Sequence, residues 1–199
     1  MTTTKQVEFW FDVGSAYSYL AWTQLPKVAA ARQARIVWRP MLLGAVLQAT
    51  GNSSPASVPA KGRYSVIDLE RWARHFHVPF TLNPHFPINT LPLMRGATGM
   101  AMRGEAELLR YLAAIFPAMF GAQPRNLGEP QEIAAVLEAA GISAADVLAM
   151  TQDDEVKAKL RSETEAAVAR GVFGAPTFFV GDQMYWGQDR LYFVDQALG

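Results

Sequence analysis

The stretch Val7–Met41, VEFWFDVGSAYSYLAWTQLPKVAAARQARIVWRPM, decides how the rest of the chain is read. Val7, Phe9, Phe11 and Val13 alternate with Glu8, Trp10 and Asp12, the period-two pattern of a strand with an apolar face. Gly14 breaks the pattern. From Ala16 to Arg32 the residues Leu20, Leu25, Val28 and Ala29 form the stripe of an amphipathic helix, with Ser15 at its start and Pro26 predicting a kink or break. Ile36–Met41 then reads as a second strand. Strand, helix and strand within this span make a βαβ unit, which implies a parallel pair joined by a right-handed crossover.

Outward from this unit the sequence changes character. Gly51–Gly62 (GNSSPASVPAKG) and Thr81–Pro92 (TLNPHFPINTLP) read as loops, rich in Gly, Ser and Pro in the first case and in Pro in the second. Helical patterns cover Tyr64–His75, Met94–Phe120, Gln131–Ala140, Ala144–Thr151 and Asp153–Arg170, with Ser143 as a cap and Gly171 as a stop. Strand character returns in Pro176–Val180, a turn at Gly181-Asp182-Gln183 and Met184–Trp186, a β-hairpin followed by a helix over Arg190–Leu198. The resulting order, βαβ, helical block, ββα, is that of an α/β thioredoxin-like domain with a large all-helical domain inserted between its halves. The expected division is 1–45 with 165–199 for the thioredoxin-like part and 46–164 for the insertion.

Composition narrows the function. The chain has 199 residues, half of them hydrophobic, which suits one compact unit carrying an insertion. Its 18 Lys and Arg balance 18 Asp and Glu, so no broad field exists to hold nucleic acid or an anionic membrane. No apolar run is long enough to span a bilayer, and Met1–Gln6 (MTTTKQ) leads into the first strand without a signal peptide's apolar region, so a cytoplasmic protein is expected. The absence of cysteine removes disulfides, zinc–thiolate sites and any protein thiol nucleophile. His75, His77 and His85 lack the spacing of a metal site.

Several residues admit both a structural and a chemical reading. Ser15 can cap the first helical turn or point its hydroxyl at a ligand. Ala175-Pro176 can be an ordinary trans bond opening a strand. Asp189 is a candidate N-cap for the last helix, and Gln188 stands beside it. Asn52, after a glycine, suits a turn, Lys61 suits solvent, and Arg190 suits a solvated surface. Tyr64, Asp68, Arg71 and Trp72 share a helix face, where an Asp68–Arg71 pair beside packed rings is the plain expectation.

Three motifs carry a resemblance. FDVGSAYSYL (Phe11–Leu20), GVFGAPT (Gly171–Thr177) and WGQDR (Trp186–Arg190), with the central Lys61-Gly62-Arg63-Tyr64, resemble the 2-hydroxychromene-2-carboxylate isomerases and the related kappa-class glutathione transferases over essentially the whole chain. The resemblance implies glutathione as the bound thiol and a homodimer as the working unit. It implies that Ser15 is catalytic, donating a hydrogen bond to the glutathione sulfur. A thiol of pKa about 8.5 is only a few per cent ionised at pH 7, and lowering it by about two units takes roughly 2.7 kcal/mol. A hydrogen bond to charged sulfur supplies about 1.5–3 kcal/mol and a helix N-terminus about 0.3–1, so no general base is needed.

The resemblance further implies a cis Ala175-Pro176 bond that leaves the Ala175 N–H and C=O free to pair with the cysteinyl part of glutathione. By the same route Gln188 and Asp189 hold the γ-glutamyl end, with backbone amides at the helix start and Arg190 assisting, Lys61 pairs with the glycyl carboxylate, and Asn52 lies near the sulfur or the second substrate. Trp10, Tyr64, Phe86 and Trp186 are candidates to wall a pocket for a small aromatic electrophile, with Asn89 meeting its polar atoms. The expected activity is isomerisation of an aromatic 2-oxo acid; a kappa-like transferase or peroxidase, or a glutathione- or peptide-binding module without turnover, are the alternatives. Cys-x-x-Cys chemistry is excluded, because Ser15-Ala16-Tyr17-Ser18 stands in its place.

Overall fold

Strand β1 (Gln6–Phe11) pairs in parallel with β2 (Arg35–Pro40), placing Phe9 opposite Trp38 and Trp10 opposite Arg39. Helix α1 (Ala16–Ala31) joins them, as the βαβ reading requires. The computed structural model describes residues 5–199, and Met1–Thr4, the start of the segment read above as a lead-in, lie outside the described residues. Pro26 sits inside α1 without ending it; its ring is exposed, on the side where a missing N–H and a bulge toward solvent are tolerated.

Between the two halves of the sheet come α2 (Leu43–Thr50), α3 (Pro59–Phe76), α4 (Leu91–Arg103), α5 (Glu105–Phe120), α6 (Pro130–Ala139), α7 (Ala144–Gln152) and α8 (Asp154–Ala169). Strands β3 (Thr177–Val180) and β4 (Gln183–Trp186) form the hairpin, and α9 (Leu191–Ala197) closes the chain. β3 runs antiparallel to β1, giving a four-stranded mixed sheet in the order β2-β1-β3-β4.

The structure adds one helix and corrects two local expectations. Helix α2 lies between β2 and Gly51, where the sequence reading assigned no element, and the Gly51–Gly62 segment, expected as a loop, is half helical, with a 3₁₀ turn at Pro55–Ser57 and Pro59 serving as the first residue of α3. Lys61 is therefore on a helix. The long pattern from Met94 to Phe120 is two helices, broken at Gly104, whose φ of +146° only glycine adopts readily.

β1 is buried on both sides, as befits a central strand. Phe9 and Phe11 join Leu20, Leu25, Phe116, Phe178 and Val194 in the main core, which α1, α5 and α9 cover. Trp10 packs on the opposite side with Met41, Val46, Ala167, Val172 and Phe179, under α2 and α8. Trp10 is thus core, 2 % exposed, and cannot wall a substrate pocket. The alternation in the sequence was genuine, but a second layer of helices covers the side that Trp10 faces.

Candidate functional site at the start of α1

Ser15 is the N-cap of α1. Its Oγ accepts from the Ser18 N–H at 3.1 Å, and its hydroxyl donates to the Ala175 carbonyl, also at 3.1 Å. Capping leaves the hydroxyl proton free to point elsewhere: the oxygen is fixed by the helix, while the proton points to the segment before β3 and the residue is buried. The Ala175-Pro176 bond is cis. Its carbonyl is engaged by Ser15 and not free as expected, whereas the Ala175 N–H has no acceptor among the described residues.

The segment beside Ser15 is held from two sides. Asn52 donates to the Phe173 carbonyl at 2.8 Å and accepts from Ser53 N–H at 2.8 Å, so its amide ties the loop after α2 to the cis-proline segment. Trp186 lies against Phe173, ring centres 4.9 Å apart, and a Cβ on Gly174 would come within 2.6 Å of the Trp186 Nε1. Glycine at 174 is what lets the half-exposed indole close over this backbone. The Gly187 N–H donates to the Pro176 carbonyl at 3.0 Å, bringing the WGQDR segment to the same place.

That segment differs from expectation in its caps. Gln188–Arg190 is a 3₁₀ turn ahead of α9, Gly187 is its N-cap residue, and Asp189 caps no helix. The Asp189 carboxylate instead pairs with the guanidinium of its neighbour Arg190. Gln188 is buried at 4 % exposure. Lys61 is exposed on the first turn of α3, and its ammonium makes no ion pair among the described residues.

Of the remaining pocket candidates, Tyr64 and Phe86 are exposed, and Asn89 uses its Oδ1 to accept from the Leu91 N–H at the start of α4. Asn89 is thus engaged in a turn just before that helix, whose N-cap residue is Thr90. The member of its loop that reaches Ser15's turn is the next residue, Thr90, whose Cγ2 would lie 2.6 Å from a Cβ on Gly14. Asp68 does not pair with Arg71; it accepts from the Tyr17 phenol at 3.1 Å, because Arg71 turns outward to solvent. Burial, then the Asp68 charge, pushes the Tyr17 phenol up to about 12, so it stays protonated at any physiological pH.

Asp12 is the residue that sequence reading passed over. It is 1 % exposed, and its carboxylate receives the N–H groups of Gly14 and Leu43 at 2.8 Å each and the Thr90 hydroxyl at 3.2 Å. Burial pushes its carboxyl upward, and those three donors pull the other way. The available signal was Asp followed two residues later by Gly, an Asx-turn spacing.

A DSBA-like thioredoxin domain model matches residues 6–199. The 2-hydroxychromene-2-carboxylate isomerase of Sphingobium xenophagum is 32 % identical, over 98 % of both chains. This chain belongs to the DSBA-like thioredoxin family, together with those isomerases. It is also 30 % identical to human glutathione S-transferase kappa 1, over 98 % of this chain and 91 % of that one. A solved 2-hydroxychromene-2-carboxylate isomerase superposes with a TM-score of 0.83 at 31 % identity, covering 98 % of this chain and 94 % of the other. Xylella fastidiosa DsbA, at 14 % identity and a TM-score of 0.60 over 99 % and 85 % of the two chains, shares the fold. Within this family the present chain carries no cysteine at all, so its chemistry is not its own disulfide exchange.

Proposed function

We propose that this protein is a glutathione-dependent isomerase of an aromatic 2-oxo acid, of the type that interconverts 2-hydroxychromene-2-carboxylate and trans-o-hydroxybenzylidenepyruvate. The observation that carries the reading is the Ser15 hydroxyl, anchored at the N-terminus of α1 and aimed at the Ala175 carbonyl beside a cis proline, in a chain without cysteine. An unpaired Ala175 N–H next to that hydroxyl fits an extended thiol-bearing peptide, which would pair with the backbone there.

When bound, glutathione supplies a thiolate that adds reversibly to the electrophile's conjugated carbon, lets the former double bond rotate, and departs unchanged. The chain's own residues prepare that thiolate. Ser15 turns its proton from the Ala175 carbonyl to the sulfur, while the Ser18 N–H keeps the oxygen in place. The N-terminal amides of α1 add a favourable field. Lys61 meets the glycyl carboxylate; Gln188, Asp189 and Arg190 meet the γ-glutamyl end; Asn52, Ala175 and Pro176 shape the cysteinyl part between them. Trp186, Tyr64 and Phe86 flank the aromatic electrophile. Holding both partners in one orientation contributes further, up to about 7–11 kcal/mol in well-aligned systems.

The same reading takes 1–45 with 165–199 as the thioredoxin-like part, 46–164 as the insertion, a homodimer as the working unit and the cytoplasm as its compartment. A second reading, a kappa-like transferase, is favoured by the human relative; it differs in consuming the thiol. Calorimetry with glutathione and S-methylglutathione, with absorbance near 240 nm reporting the thiolate, tests both. The expected result is binding of glutathione with a thiolate signal that Ser15→Ala removes, and turnover of a 2-hydroxychromene-2-carboxylate without loss of glutathione. Absence of binding at millimolar concentration would sink both enzyme readings, and stoichiometric loss of the thiol would favour the transferase.

A further inference from the structure

We propose that Asp12 is a positioning residue: its buried carboxylate locks the turn that carries Ser15 to the starts of α2 and α4, and thereby sets where the Ser15 hydroxyl points. The inference rests on the reading of Ser15 given above.

The geometry is closed at every backbone donor of the turn. Val13 N–H meets the Met94 sulfur at 3.3 Å, Gly14 N–H meets Asp12 Oδ1 at 2.8 Å, and Ser15 N–H meets the Asp12 carbonyl at 3.0 Å. Asp12 Oδ2 reaches away from the turn to Leu43 N–H at 2.8 Å and the Thr90 hydroxyl at 3.2 Å. One carboxylate therefore joins three chain segments, and Thr90 presses its methyl against Gly14, where no side chain fits. The backbone N–H groups of residues 13 to 15 are all engaged, and the Ser15 hydroxyl is left to turn about an oxygen that the Ser18 N–H holds.

The donor pattern selects a carboxylate specifically. Each oxygen faces one backbone N–H, so an asparagine, whichever way its amide is turned, would set an NH₂ against an N–H. Among the described residues Asp12 makes no ion pair, and the groups facing it from the β1–α1 turn, α2 and the start of α4 are two amides and a hydroxyl, none charged. Burial raises the carboxyl's pKa and the three donors oppose the shift, so its contribution to stability is present below the ordinary carboxylate range and is lost as pH rises through the raised value. Three positions from the candidate catalytic hydroxyl, this one side chain ties three chain segments together, and its role is placement.

The test compares wild type with Asp12→Asn and Thr90→Val at saturating glutathione, reading the pKa of the bound thiol by absorbance at 240 nm, with the melting temperature showing which variants fold. Asp12→Asn is expected to raise the thiol pKa by about one unit, from about 6.5 to about 7.5, roughly threefold less thiolate at pH 7. Thr90→Val, which keeps both amide contacts, is expected to show a smaller rise and keeps the test open if Asp12→Asn does not fold. An unchanged thiol pKa in the variants that fold would overturn the proposal. Absence of any thiolate signal in the wild type would instead overturn the glutathione reading and this inference with it.

Discussion

Glu8 and Asp12 lie on the same side of the first strand and its exit, four residues apart, and the protein surrounds their charges differently. Glu8 accepts from Arg170 at 2.8 Å through both carboxylate oxygens and lies 3.4 Å from the Arg39 guanidinium. The two guanidiniums also stand over the Trp10 ring, and Arg170 lies 3.7 Å above the Phe179 ring. Among the described residues Asp12 meets no cation, only neutral donors. At the Glu8 end, charge is matched by charge and the result is cohesion between β1, β2 and α8. At the Asp12 end the carboxyl is matched by directed neutral donors alone, which yields geometry. On the reading of Ser15 proposed above, the strand's exit is the working end.

Four substitutions would break or sharpen that contrast. The largest effect is expected from Ser15→Ala, which removes a hydrogen bond to charged sulfur of about 1.5–3 kcal/mol and should raise the bound thiol's pKa by about one to two units; a thiol titration that does not move would remove Ser15 from the chemistry. Asp12→Asn should come next, shifting the same titration by about one unit through placement alone. Glu8→Gln should do the reverse: a loss of about 1 kcal/mol of stability, seen as a melting temperature about 2–4 °C lower, with the thiol pKa unmoved. If Glu8→Gln changed the thiol titration, the two ends of β1 would not be separable. The smallest effect belongs to Ser18→Ala. Ser18 Oγ is fully buried and without a partner among the described residues, so its removal should leave the thiol pKa alone and change stability by no more than about 1 kcal/mol, upward.

Much of the architecture was legible because it rests on local periodicity. The β1–α1–β2 unit, the hairpin from Thr177 and the Ser143 cap all follow from patterns within a few residues of one another. Ser15 was legible for the same reason, standing between an alternating strand and a helical stripe. The misreadings share a different origin. Trp10 looked available because alternation reports that a strand has two faces, not how many layers of helix cover them. Asp189 looked like a cap because the last helix was expected to begin at Arg190, directly after it, whereas Gln188–Arg190 form a 3₁₀ turn and α9 begins at Leu191. Asp68 looked bound to Arg71, three residues along its own helix, and found Tyr17 from another helix instead.

By itself the sequence determined the order of the strands around a helical block, the absence of any cysteine chemistry and the position of a serine at a helix start, since these depend on residue types and short spacings. Only the tertiary structure decided what that serine touches. The Ala175 carbonyl is 160 residues away from Ser15 and the Thr90 hydroxyl 78 residues from Asp12. Such contacts form where independently folded segments meet, and their partners are chosen by packing across the whole chain, which no local pattern encodes.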